Sequence, residues 1–340
     1  MRFGFGAPHL RGGAGVLCEP MLRKNESQTP ALAAVVVLAI VWGYNWIMMK
    51  VGVAYAPPFT FSALRALLGA VVLFGVMAAL RKPFAISAVP RVALIGLLQT
   101  AGFIGFSTWA LTVAGAGKTV ILVYTMPFWI VLFGWPMLGE RIRGLQWPAL
   151  IVGLAGLLML LNPRTGGSLE GDVLAILAGL SWALASIFVK RLYATHDVDL
   201  ISLTTWQMLF GGIPLAIVAL LLPAHAVVWS PGFVVALAYN VIPASALSWL
   251  LWMYALQRLP AGTAGMALLT NPLVGVSAAW LQLGERPQAI ELGGMALIGL
   301  ALLLIALQAL HEQRRRAMRS DDRTAEGGRP APAREASRDD

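Results

Sequence analysis

Between positions 200 and 257 the chain contains no Asp, Glu, Lys or Arg. A water-soluble fold has no means of covering so long an uncharged run. It is also more than twice the ~20 apolar residues that one bilayer-crossing helix needs. Pro223-Ala224-His225 and Ser230-Pro231-Gly232 break it into two such helices.

The rest of the chain reads the same way. Charged residues are 12% of the total and hydrophobic ones 58%, where ordinary globular chains carry ~25% charge. A soluble enzyme and a disordered protein are therefore excluded, and with Cys18 as the single cysteine so is a disulfide scaffold. Ten apolar stretches stand at about 31–50, 58–80, 91–113, 117–138, 144–161, 171–190, 200–222, 232–256, 261–283 and 288–309. Runs such as 149–161 are continuously apolar, unlike the alternating strands of a membrane barrel. Helices also satisfy their own backbone groups where there is no water. The expected fold is all-α: a polytopic membrane protein of ten transmembrane helices.

Charge sets the orientation. With a cytoplasmic N-terminus, the inner loops hold Arg81, Lys82, Arg91, Arg141, Arg143, Lys190, Arg191 and Arg258, and the outer loops only Lys50, Lys118, Arg164 and Arg286. The positive-inside rule then puts both termini in the cytoplasm. It also accounts for the net charge of +9 without a nucleic-acid partner. Residues 1–30 are expected to be a disordered extension with translation starting at Met21, and residues 310–340 a charged disordered tail.

Shifted by 145 positions, 116–141 falls on 261–286 with ten of 26 residues identical. Thr125 and Pro127 meet Thr270 and Pro272, and Leu138-Gly139-Glu140-Arg141 meets Leu283-Gly284-Glu285-Arg286. Trp42 and Lys50 recur as Trp182 and Lys190, and Ala110-Leu111 as Ala255-Leu256. Two five-helix units follow, 31–161 and 171–309. Five is odd, so the second unit is inserted upside down relative to the first, as in many secondary transporters.

The paired Pro…Gly-Glu-Arg helices, the Trp-rich first helix (Val41-Trp42-Gly43-Tyr44-Asn45-Trp46) and Arg65 in the second helix carry a resemblance. The chain resembles the drug/metabolite transporter superfamily, in particular EamA-type permeases, over about residues 31–309. The resemblance implies an inverted pseudo-twofold, a central cavity, alternating access and an inner-membrane location, with export as the expected direction. It does not fix a cargo.

Several residues are candidates for that cavity. Proline inside a helix removes one backbone bond and frees the carbonyl four residues back, at Val123 for Pro127 and Leu268 for Pro272. Both prolines are candidate hinges, with Tyr124, Thr125 and Asn271 as polar neighbours able to touch cargo. Arg65 lies about 10 Å into its span at 1.5 Å per residue. It either binds a carboxylate or plays a structural part, by snorkelling or by holding carbonyls of a neighbouring helix. Glu140 and Glu285 sit at helix ends, as loop caps, as inter-helix ion pairs with a neighbouring Arg, or as gate latches on opposite faces. Trp42, Asn45 and Trp46 share one helical face. Trp109, Trp182 and Trp249 fall deep in their spans, as do the amides of Gln99, Gln207 and Asn240, which need partners in lipid.

Gly115-Ala116-Gly117-Lys118-Thr119 imitates the end of a phosphate-binding loop, but Thr112 stands where its first glycine belongs. His196 and His225 have no metal-ligand companions. The sequence therefore implies no ATP, metal or cofactor. The reading is a secondary transporter of small organic metabolites such as amino acids, working as a monomer or homodimer. A membrane-embedded enzyme and a non-transporting scaffold are the alternatives.

Overall fold

The computed structural model describes residues 29–142, 144–161, 168–258 and 270–327, and among them there is no strand. The first half runs α1 (Thr29–Tyr55), α2 (Pro58–Ala79), α3 (Val89–Val113), α4 (Ala116–Val123), α5 (Met126–Leu138) and α6 (Gln146–Leu160). The second runs α7 (Leu169–Tyr193), α8 (Leu200–Leu221), α9 (Pro231–Trp252, continuing to Arg258), α10 (Asn271–Leu283) and α11 (Ala289–Gly327). Eight segments, α4 with α5 counting as one, are long and apolar enough to cross a membrane; α6 is apolar but shorter. The remaining predicted span, 261–283, is described only from position 270 on.

Helix starts follow from local chemistry. Pro58 opens α2, where a missing N–H costs nothing. Ser230 Oγ accepts from Phe233 N at 3.2 Å and starts α9. Asp199 Oδ1 caps α8, accepting from Ile201 N at 3.0 Å and Ser202 N at 3.2 Å. Asp199 Oδ2 also meets Lys82 Nζ at 2.6 Å, tying the α2–α3 loop to the second half. Partial burial raises that carboxyl, but Lys82 and the two backbone amides outweigh it and hold it below the usual carboxylate range. At the far end, α11 runs through Arg314-Arg315-Arg316 to Gly327, well past the expected end at 309. Its Gln, Glu, Arg, Ala and Met residues are good helix formers.

Packing crosses between the halves. α2 lies along α8, and α6 along α11. α3 packs on α7 and α8; α9 packs on α1 and α2. α5 packs on α7, and α10 on α1. Exchanging α1 with α7, α2 with α8, α3 with α9, α5 with α10 and α6 with α11 maps this set of neighbours onto itself. The halves are thus interlocked about a pseudo-twofold axis rather than set side by side. Glycines permit the closest approaches: a Cβ at Gly156 would stand 2.8 Å from the Gly294 carbonyl oxygen, where α6 meets α11. The outer surface is apolar, with Leu220 86% and Leu281 82% exposed, as a lipid-facing surface should be.

Candidate functional site

The fourth helix of the first half is broken at its centre. α4 ends at Val123, Tyr124 and Thr125 form a turn, and α5 restarts at Met126. Pro127 stands in the first turn of α5 rather than deep inside one continuous helix. Its ring cannot sit beside the Val123 carbonyl in a regular helix, and the turn moves that carbonyl aside. The carbonyl then lies against α7, where a Cβ at Gly179 would stand 2.7 Å from its oxygen. Pro272 likewise opens α10; Leu268 lies outside the described residues. On the other side of the axis, a Cβ at Gly43 of α1 would stand 2.9 Å from the Asn271 carbonyl oxygen. The first helix of each half therefore presents a glycine to the proline-bearing helix of the other.

Both third helices contain a wide turn with π-type bonding, Gly96–Gly102 in α3 and Ile242–Leu247 in α9. Such turns disturb the regular ladder and often mark functional sites. The opposite half supplies partners for their carbonyls. Ser181 Oγ donates to Leu98 O at 2.7 Å, and Trp42 Nε1 to Ala244 O at 3.0 Å.

A cavity of ≈ 190 Å³ lies where these breaks and turns converge. α1 contributes Trp42, Asn45 and Trp46; α2 contributes Arg65; α3 contributes Gln99. Tyr124 enters from the break, Trp182 from α7, Gln207 from α8, Trp249 from α9 and Asn271 from α10. Aromatic rings meet edge to face around it: Trp42 with Trp249 at 6.2 Å, Trp46 with Phe103 at 6.5 Å, Phe103 with Trp182 at 4.7 Å. Tyr124 hydrogen-bonds the side chains of Asn271 and Trp46. Thr100, Thr204 and Ser245 add hydroxyls that sequence reading did not single out. The 145-residue shift carries a usable signal here, because it sets Gln99 on Ala244 and Thr100 on Ser245, and all four line the cavity.

Three expected residues lie elsewhere. Trp109 is 36% exposed and stacks edge-on against Phe59 at 5.6 Å, on the outer side of α3. Thr125 is fully buried in the break, donating to Leu122 O at 2.6 Å and accepting from Trp129 Nε1 at 3.2 Å. Asn240 is also fully buried; Nδ2 donates to Ala236 O, and its carbonyl accepts from Ser245 Oγ, both at 2.8 Å. Thr125 and Asn240 hold irregular backbone together, and their polarity answers that need.

The two Gly-Glu-Arg motifs end helices. Gly139 and Gly284 are left-handed, each with φ of 68°. The next amide reaches six residues back, Glu140 N to Gly134 O at 3.2 Å and Glu285 N to Ala279 O at 3.3 Å. These are left-handed glycine caps, a conformation that glycine adopts without a Cβ penalty, which explains why it recurs. The carboxylates then diverge. Glu285 Oε1 accepts from Ala116 N at 2.8 Å and Oε2 from Gly117 N at 2.9 Å, capping α4 of the opposite half. Lys50 Nζ holds the preceding turn through Leu111 O at 2.6 Å and Ala114 O at 2.8 Å. Glu140 pairs instead with Lys190, the counterpart of Lys50. Nearby, Lys118 and Asp172 form a buried ion pair at 2.8 Å that sequence reading passed over.

The model of the EamA-like transporter family matches residues 29–162 and again 169–307. The chain belongs to the EamA-like transporter family. It is a multi-pass membrane protein built on that family's repeated unit. The uncharacterised transporter YoaV of Bacillus subtilis is 30% identical over 75% of this chain and 89% of its own length. A probable amino-acid metabolite efflux pump of Escherichia coli is 27% identical over 77% of this chain and 89% of its own. The uncharacterised inner membrane transporter YedA of Escherichia coli is 27% identical over 82% and 91%. A solved crystal structure with 20% identity superposes with a TM-score of 0.60, covering 84% of this chain and 99% of that one, and shares the fold.

Proposed function

We propose that this chain is an inner-membrane exporter of small organic metabolites such as amino acids, working by alternating access. The observation that carries the reading is the polar-aromatic cavity lined jointly by both halves, with ten of its side chains already marked in the sequence. A cavity of ≈ 190 Å³ suits a small organic molecule rather than a polymer. Both termini are cytoplasmic, which puts Glu140 at the inner face and Glu285 at the outer. The halves rock about the breaks at Pro127 and Pro272, opening the cavity to one side and then the other. The amino-acid pump among the relatives supports the cargo class. The cargo crosses chemically unchanged.

Efflux of a labelled metabolite mixture from proteoliposomes tests this directly. Saturable loss of at least one amino-acid-like component is expected. Pro127→Ala and Pro272→Ala restore a donor and straighten the break, so turnover falls several-fold while half-saturation changes little. Unchanged flux in both variants removes the hinge role.

A further inference from the structure

Among the described residues Arg65 is the single full charge on the cavity wall: none of the others lining it is a carboxylate, lysine, arginine or histidine. Its side chain is 93% buried, the complement of the 7% exposure of the residue. Nε and Nη1 are sealed from solvent and have no partner among the described residues. Both structural explanations of a deep arginine fail on this geometry. A snorkelling arginine keeps its head in water or among lipid head groups, and this head is buried. An arginine that holds a neighbouring helix does so through carbonyls, and none accepts from it. An unpaired guanidinium in so dry a place is costly. An anion small enough to enter the cavity would pair with it.

The remaining orphans on the cavity wall are acceptors; Ser107 Oγ, Asp172 Oδ1 and Asn240 Oδ1 are also unpartnered but belong to residues outside it. Asn45 Oδ1, Gln207 Oε1 and Asn271 Oδ1 are all buried without a donor, and all three residues line the same space. Resting on the transporter reading above, we infer that Arg65 is the anion-recognition residue, and that the cargo is a monocarboxylate with a flat apolar body. A guanidinium fork matches a carboxylate through two parallel N–H···O bonds; Nε and Nη1 are sealed here, so the side chain must turn toward the cavity as the cargo enters. One positive charge with no second cation neutralises a carboxylate but leaves a phosphate monoester, near −2 at neutral pH, half uncompensated. Trp42, Trp46, Trp182 and Trp249 receive the body. The amide oxygens accept whatever N–H or O–H groups it carries. An ammonium is one donor among several and is dispensable; the carboxylate is required.

Three probes separate these requirements: phenylalanine, 3-phenylpropanoate, which lacks the amine, and phenethylamine, which lacks the carboxylate. Binding to the purified full chain is read by tryptophan fluorescence. Saturable quenching by both carboxylates and at least tenfold weaker binding of phenethylamine are expected. Arg65→Gln weakens both carboxylates at least tenfold and does not weaken phenethylamine, whose ammonium loses a like-charged neighbour, whereas Arg65→Lys recovers part of the loss. The wild-type comparison needs no variant, so a misfolded Arg65→Gln does not spare the proposal. Phenethylamine binding as tightly as 3-phenylpropanoate overturns it, as does failure of both carboxylates to bind. Proteoliposome flux of the same probes distinguishes the two readings. Flux of phenethylamine alone refutes the carboxylate requirement and leaves transport standing; no saturable flux of these probes or of the metabolite mixture removes both.

Discussion

Glu285→Ala lowers the stability of the purified protein by about 1–3 kcal/mol, while Glu140→Ala changes it by less than about 1 kcal/mol. The two glutamates occupy equivalent places in the repeat, so sequence alone gives them equal weight. Their partners differ. Glu285 accepts from two amides at the start of α4, Ala116 N and Gly117 N. Neither has an intrahelical acceptor, and α4 has no side-chain cap of its own. A buried donor left unpaired costs ~1–3 kcal/mol, and the half-buried position of Glu285 lets water replace part of what the two amides lose. Glu140 faces Lys190 with both side chains at least half exposed, and surface pairs contribute ~0–1 kcal/mol. Thermal unfolding in detergent reads the contrast, and Glu285→Gln, which keeps one acceptor oxygen, falls between. Equal effects at the two positions would deny the cross-half cap its role.

Gly211→Ala is expected to destabilise the fold by at least about 1–3 kcal/mol, the usual cost of forcing extra volume into a packed core. A Cβ there would stand 2.3 Å from the Gly96 carbonyl oxygen and 2.4 Å from Thr100 Cβ. The reciprocal contact is as tight, since a Cβ at Gly96 would lie 2.6 Å from Gln207 O. α8 and α3 thus touch backbone to backbone beside the cavity, and relief requires moving the segments that carry Gln99 and Gln207. Cargo binding falls with stability. Gly75→Ala is the control: nothing lies within 4 Å of the added atom, and losing a helical glycine stabilises by up to ~1 kcal/mol. Unfolding midpoints and cargo affinity check both.

Much of this architecture is legible because lipid permits few solutions. Apolar runs gave most helix limits to within a few residues, and the 145-residue repeat exposed the paired breaks and the glycine caps. Arg65, Gln207 and Asn271 were readable as polar groups in lipid that needed a reason. The same rule misled at Thr125 and Asn240, since a polar side chain serves irregular backbone as well as a cargo. Trp109 shows its counterpart, an aromatic set on the outer side of its helix. The wide turn in α3 carries no comparable mark of its own, so the Gly96–Gly211 contact stayed hidden and Thr100 was reachable only through its repeat partner Ser245. The buried Lys118–Asp172 pair was invisible for a different reason: its members lie near helix starts far apart in sequence, and only the fold joins them.

The central claim is that the halves are inverted about the cavity they share. Single cysteines at Arg141 and Arg286, in a Cys18→Ser background, test it most directly with a membrane-impermeant maleimide on intact and permeabilised cells. Position 286 should react in intact cells, and position 141 only after permeabilisation. Labelling of both from the same side would contradict the inverted repeat and the account built on it.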